Sequence, residues 1–206
     1  MRLRPVLWSV ASAAVASITT LGLISYRPAA PGTGGTEVVP SRGGAAGAVP
    51  RSLALILAAE EGERRVRRLL GGAPLIIKVD RRNGGAPELV MGYEDIPPGQ
   101  VIPPHRHLLA DEIIFVRRGS GVAQVGDREA AFAAGATIYI PRGVRVTVRN
   151  SGSEPLSIAF VFSKPGFEEY LRDTSVPEGQ PVVPLSGEEQ ARIRAKHRWH
   201  TVYEQP

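Results

Sequence analysis

The feature that most restricts this chain of 206 residues is a succession of short β-rich runs between Leu75 and Ser163, separated by turn residues. The runs are Leu75–Asp80, Leu89–Glu94, Asp111–Arg117, Val122–Gly126, Ala136–Ile140, Arg145–Arg149 and Leu156–Ser163. Strands of this length at this spacing predict the antiparallel sheets of a sandwich or barrel. Asn83-Gly84, Gly126-Asp127 and Ser151-Gly152 lie between runs and supply residues that tolerate positive φ in tight hairpins. The 23 glycines and 18 prolines follow no collagen-like period, which agrees with a turn-rich, all-β core.

The barrel is expected over residues 73–164, with appendages on both sides. In residues 1–27, Arg2 and Arg4 precede the uncharged stretch Pro5–Tyr26, and Arg27 closes it. This predicts a signal peptide or a transmembrane anchor. The apolar stretch has the roughly 20 residues that span a bilayer. Ala29-Ala30 is flanked by Pro28 and Pro31, a poor small-x-small cleavage site. The expectation is therefore an N-terminal hydrophobic helix left uncleaved, which places the rest of the chain outside the cytoplasm, periplasmic or secreted. Residues 28–50 read as a flexible Pro/Gly/Ala-rich linker.

Residues 51–72 read as a helical extension. Within Ser52–Leu70, Glu60, Glu61 and Glu63 each precede an arginine by four residues, at Arg64, Arg65 and Arg67, and Gly71-Gly72 ends the segment. Residues 165–206 form a second helical extension, with helices over Gly166–Asp173 and Ser186–His200. Ser186 and Glu189 have the spacing of a capping box.

The formal charge of +5 does not indicate nucleic acid. Residues 1–50 carry Arg2, Arg4, Arg27 and Arg42 against Glu37 alone, which leaves only +2 for the remainder. There the two signs are interspersed, without the one-signed stripe that a phosphate backbone needs. With no cysteine, disulfides and thiolate metal sites are excluded.

His105-Arg106-His107 is the chemically informative triplet, because alternate residues of a strand point to one face. Glu112 follows five residues later, and a short turn between antiparallel strands would bring its carboxylate beside the two imidazoles, with Asp111 facing the other way. Two imidazoles and one carboxylate suit a divalent transition metal, Fe(II) foremost, with Mn, Ni, Zn or Cu also accepted. His197 and His200 are the remaining imidazoles; three apart on the terminal helix and near Arg194, Lys196 and Arg198, they read as a surface pair.

The stretch from Gly99 through His105, His107 and Glu112 to Gly119 resembles the first cupin motif, and the stretch from Gly135 through Pro141, Gly143 and Val146 to Asn150 resembles the second. The resemblance covers about residues 88–163. It implies a jelly-roll barrel, the double-stranded β-helix, in which the first motif supplies two histidines and a glutamate and the second supplies a further histidine. Val146 occupies that last position here, and Ala136 stands where an acid often follows the motif's first glycine. Three consequences are open: a metal held by His105, His107 and Glu112 with free coordination positions, a metal-free barrel that binds an organic ligand or stabilises an interface, or a substitute ligand from His197 or His200. Val146, Ile114, Val116, Val148 and Phe160 are expected to line an apolar interior suited to a small organic ligand.

The resemblance to quercetinase-like cupins implies a metal-dependent oxygenase in which Glu112 serves as ligand or base. The alternative is a tethered module that binds a small molecule or carbohydrate without turnover. Cupins often pair through their sheets, so a homodimer is also expected.

Overall fold

Alternation of buried and exposed side chains organises the barrel. The computed structural model describes residues 54–83 and 88–204, all within the compact unit Ala46–Pro206. The expected leader, the linker and the turn at Asn83-Gly84 fall wholly or partly outside the described residues. No helix among the described residues is long and apolar enough to cross a membrane.

Twelve strands and two helices follow in order among the described residues: β1 Glu63–Arg67, β2 Pro74–Val79, β3 Val90–Ile96, β4 Val101–His107, β5 Glu112–Arg118, β6 Ser120–Val125, β7 Arg128–Ala133, β8 Thr137–Ile140, β9 Val146–Asn150, β10 Leu156–Phe162, α1 Phe167–Asp173, β11 Ser175–Pro177, α2 Gly187–His197 and β12 Thr201–Tyr203. A seven-stranded sheet has the order β11-β1-β2-β3-β10-β5-β8, and a five-stranded sheet the order β12-β4-β9-β6-β7. All pairings are antiparallel. Two facing sheets of this kind are the jelly-roll architecture expected from the sequence.

The seven expected strands are all present. β7 was not expected: its residues are mostly exposed, so it has no apolar alternation to betray it, and it is held as an edge by pairing with β6. The loop between them is Gly126-Asp127. Gly126 has φ 59° and Asp127 does not have positive φ, as a type II′ hairpin requires of its two central positions. Gly92 answers a different need. A Cβ there would lie 2.4 Å from the ring of Phe160 and 2.5 Å from the carbonyl oxygen of Ile76, so its absence lets that ring pack across β3 into the interior. Ile96, Val116, Val146, Leu156 and Ile158 fill the core between the sheets. A second buried cluster, around Leu75, Val90, Phe162 and Leu171, fixes α1 against the seven-stranded sheet.

The helical expectation for residues 51–72 is corrected. Residues 63–67 form β1, which pairs with both β2 and β11. Only Glu60–Arg64 survives as a four-residue charge pair. Glu63 binds Arg65, two residues on, and Arg172 of α1. Arg172 also pairs with Asp80 and Glu169, which ties β1, the end of β2 and α1 together around the buried Arg172 guanidinium. Arg64, Arg67 and Glu63 each also make a long-range pair, and pairing with β2 and β11 decides the conformation over local propensity.

The terminal extension is less purely helical than expected. α1 and α2 lie where the sequence placed helices, and Ser186 and Glu189 make both hydrogen bonds of the capping box. β11 and β12, however, each extend a sheet. β12 sets Thr201 opposite His107 and Tyr203 opposite His105.

Candidate metal centre

His105 and His107 alternate on β4, so both rings enter the barrel, where they are 4% and 3% exposed. Glu112 opens β5 and is 6% exposed. Asp111 faces outward, its carboxylate taken by Arg142 and its backbone N–H donating to Ser163, as the strand phase requires. The Nε2 atoms of His105 and His107 lie 3.1 Å apart, and His107 Nε2 is 3.3 Å from Glu112 Oε2. All three donor groups fall within 4.8 Å of one another, and they are the one such group of three or more found among the described residues. Two ligands each about 2.1 Å from one ion stand roughly 3.0–3.4 Å apart for angles between square and tetrahedral. The two short spacings match that range.

Protonation fits the same conclusion. Burial lowers the pKa of His105 to about 4, with His107 adding to the effect, and burial lowers that of His107 to about 3. Both rings are therefore neutral at pH 7, and the close approach of His107 to Glu112 is not an ion pair. Burial raises Glu112 to about 7, with His105 acting in the opposite sense. His105 Nδ1 donates to the carbonyl of Pro103, which leaves its Nε2 lone pair pointing into the cavity.

The tautomer of His107 is set from further away. Its Nδ1 meets Thr201 Oγ1 at 3.1 Å, Thr201 Oγ1 meets His200 Nδ1 at 2.8 Å, His200 Nε2 meets His197 Nδ1 at 2.9 Å, and His197 Nε2 meets Asp173 Oδ2 at 2.6 Å. Burial works upward on Asp173, but Lys196 and His197 outweigh it and lower its pKa, so it is an ionised, acceptor-only group. Running towards Asp173, the line has His197 donating to Asp173, His200 to His197, and Thr201 to His200. The single hydroxyl proton of Thr201 is then spent, so Thr201 accepts from His107 Nδ1–H. The Nε2 lone pair of His107 is left facing that of His105, with the Glu112 carboxylate beside them. Three electron-rich atoms converging in a buried cavity call for a cation, and the His-His-Glu set is compatible with a divalent metal.

This corrects the reading of His197 and His200 as a surface pair. They are 3% and 4% exposed, and they support the ligand His107 from behind instead of replacing a ligand. Burial, then His197 and His107, lowers His200 to about 4. Val146 lies opposite His105 in the β4–β9 register, is fully buried and lines the same cavity, so the expected fourth-ligand position is occupied by a side chain with no donor.

The cavity at the donors measures about 30 Å³ and is lined chiefly by apolar and aromatic residues, among them Ile114, Val148, Ile158 and Phe160. A cleft of about 350 Å³ beside Tyr93 and Arg117 is larger, but its lining contains neither histidine nor Glu112. Tyr203 stacks on His105 at 5.2 Å between ring centroids, and Phe167 meets His107 edge-on at 4.6 Å. Arg67 and Glu94 complete the wall. Sequence reasoning missed Arg67, Glu94, Thr201 and Tyr203; the alternation in Thr201-Val202-Tyr203 was the one available hint of a strand there.

Residues 92–162 match the family model described as the Cupin domain. The chain is 27% identical over 79 residues to the tetracenomycin polyketide synthase protein TcmJ of Streptomyces glaucescens, which covers 38% of this chain and 53% of the relative. The chain thus spans about half the length of the curated relative it matches. Among solved structures it is similar to a predicted oxalate decarboxylase from Thermotoga maritima, at 17% identity and a TM-score of 0.48, covering 54% of this chain and 100% of the other. It is also similar to KdgF from Halomonas sp., at 16% identity and a TM-score of 0.48, covering 56% and 99%. Neither structural likeness bears on chemistry. The motifs around His105 and Pro141, the two facing sheets and the family match over residues 92–162 together identify that segment of the chain as a cupin domain.

Proposed function

We propose that this chain is an extracytoplasmic metal-dependent cupin that acts as an oxygenase on a small organic substrate, with the metal on His105, His107 and Glu112 and Fe(II) as the first candidate. The observation that carries the reading is the convergence of two Nε2 lone pairs and a carboxylate, all buried, on one point of a cavity lined chiefly by apolar and aromatic residues. A divalent transition metal there supplies Lewis acidity and, if redox-active, electron exchange with O₂.

The chain's own residues do the rest. His105 and His107 are held in the donating tautomer, and Val146 withholds a fourth ligand, which leaves coordination positions for substrate. The apolar wall of Ile114, Val148, Ile158 and Phe160 excludes water from the reacting groups. Glu112, with its pKa raised to about 7 by burial, is poised either to bind the metal as carboxylate or to accept a proton near neutral pH. The likeness to a polyketide synthase protein supports a small organic substrate, and the apolar stretch of residues 5–26 supports a location outside the cytoplasm.

The test is metal content of the full-length chain by elemental analysis, beside a His105→Ala, His107→Ala double variant, with cell fractionation of the same preparation. The expected result is about one equivalent of transition metal in the parent, almost none in the variant, and O₂ consumption that follows the metal. A parent that stays empty after reconstitution with Fe, Mn, Ni and Zn overturns the reading. Full metal occupancy without turnover would favour the non-catalytic binding module.

A further inference from the structure

We infer that Arg67 anchors an anionic ligand, and that the molecule entering this barrel is a small organic monocarboxylate with an apolar tail, an assignment of substrate class that rests on the metal-centre reading above. Arg67 ends β1, and its side chain is 7% exposed. Its Nε and Nη1 atoms are buried and make no hydrogen bond. Nε lies 3.0 Å from Glu94 Oε1, an ion-pair distance without hydrogen-bond geometry, and Glu94 Oε1 is likewise without a hydrogen bond.

Arg172 shows how far this departs from ordinary satisfaction. It is as deeply buried as Arg67, yet its guanidinium is engaged by Glu63, Asp80 and Glu169. Burial alone therefore does not explain idle donors on Arg67. A guanidinium presents its N–H groups as a rigid planar fork that matches two carboxylate oxygens, and buried donors left unmade are costly enough that native proteins rarely keep them without a use.

The position of Arg67 gives the ligand its shape. Arg67, Ile102 and Tyr203 line both the inner cavity at His105 and Glu112 and an outer chamber of about 160 Å³. That chamber contains apolar surface from Leu69, Leu70 and Val101 and a second arginine, Arg194, and no Asp or Glu lines it. Arg194 lies over the Tyr203 ring at 4.8 Å, and its buried Nε also lacks a hydrogen bond. The outer chamber is thus cationic and apolar, while the inner cavity already holds Glu94 and Glu112. A dianion would meet those two carboxylates. A monoanion on the Arg67 fork, with its tail in the outer chamber, keeps that tail clear of both carboxylates, competes with Glu94 alone for the guanidinium and uses the donors that lack a hydrogen bond.

The experiment is calorimetric titration of the full-length protein with two acid and amide pairs, butyrate against butyramide and benzoate against benzamide, in metal-loaded and chelator-treated samples. The acids should bind at least about tenfold more tightly than their amides. Arg67→Met should lower acid affinity by about ten- to a hundredfold, with metal content unchanged. Glu94→Gln, which removes the resident counter-ion, should raise it several-fold. Because Arg67→Met strands Glu94, the double variant Arg67→Met, Glu94→Gln removes the pair together and should bind acids and amides alike, both weakly. Equal affinity for acids and amides in the parent, or undiminished acid affinity in the Arg67 variants, overturns the inference. A parent that takes up no metal defeats the metal-centre reading instead, and the chelator-treated titrations still decide the role of Arg67.

Discussion

Two buried histidine pairs stand back to back in this molecule, and they are used in opposite ways. His105 and His107 sit two apart on β4, with Nε2 atoms that face each other at 3.1 Å and share a cavity with Glu112. His197 and His200 sit at the end of α2 and just beyond it, and their nitrogens meet head to tail in a line from Thr201 to Asp173. In the first pair the lone pairs converge and no proton of the protein lies between them. In the second, every nitrogen has a partner. An electron-rich cluster that the protein does not satisfy internally is a site; one that it does satisfy is scaffolding. The difference lies in where the carboxylate stands, beside the two rings in one case and at the end of the chain in the other.

The largest test of that contrast is Glu112→Gln, which removes the carboxylate from the converging set at nearly constant volume. Losing a direct ligand should weaken metal binding by more than the roughly 10–100-fold that loss of a supporting group costs. The same change should stabilise the metal-free protein. Burial lifts the folded pKa of Glu112 to about 7 from an ordinary value of 4.5, so the folded state retains a proton that the unfolded chain releases. Stability from this group is present below about pH 4.5, declines as pH rises towards 7 and stays low above it. At pH 8 the metal-free variant should therefore melt several degrees above the metal-free parent, and the parent alone should gain on adding metal. A variant that keeps its metal and melts no higher would mean that Glu112 is neither ligand nor strained.

Thr201→Val cuts the link between the two pairs and is nearly isosteric. His107 is then free to carry its proton on either nitrogen, and His200 Nδ1 loses its donor. The expected loss in metal affinity is about 10–100-fold, with Thr201→Ser restoring most of it. Competition titration with a metal-binding dye measures both variants. Affinity within twofold of the parent would show that the two pairs are neighbours without being coupled.

How much of this was legible in the sequence depended on the range of the interaction. The His-x-His of β4 and Glu112 of β5 lie on consecutive strands of the two facing sheets, joined by a short loop, so the phase of each strand sets the direction of its side chains and the motif spacing fixes the rest. The seven expected strands, some alternating and some, like β2 and β10, continuous buried runs bounded by turn residues, were readable for the same local reason. The support of His107 was not, because Thr201 faces it across a pairing of β12 with β4 that spans 94 residues. Helical spacing put His197 and His200 near each other correctly, but which face is covered depends on α1 and β12. The charges of residues 60–67 were misread because charge pairs at four-residue spacing look alike whether their partners are local or, as for Glu63 and Arg172, 109 residues away. Arg67 became visible as a site residue only once β1 was placed at the wall of the cavity.

The finest test lies at the far end of the line, at Asp173. An ionised carboxylate can only accept, and a line that runs towards it from Thr201 through His200 and His197 places the proton of His107 on Nδ1. Asp173→Asn replaces it with an amide whose oxygen accepts and whose nitrogen donates. The line can then run in either direction, and in the reversed one Thr201 donates to His107 Nδ1 and the proton moves to Nε2, where it blocks the metal. If the two directions are equally populated, half the molecules are competent and the apparent dissociation constant rises about twofold. Nitrogen chemical shifts of His107 in the metal-free variant should report a mixture of tautomers where the parent shows one. A single tautomer in the variant would place control at Thr201 itself. A loss as large as that of Thr201→Val would instead mean that Asp173, through Lys196 and His197, holds α2 and β12 in position and that direction is secondary.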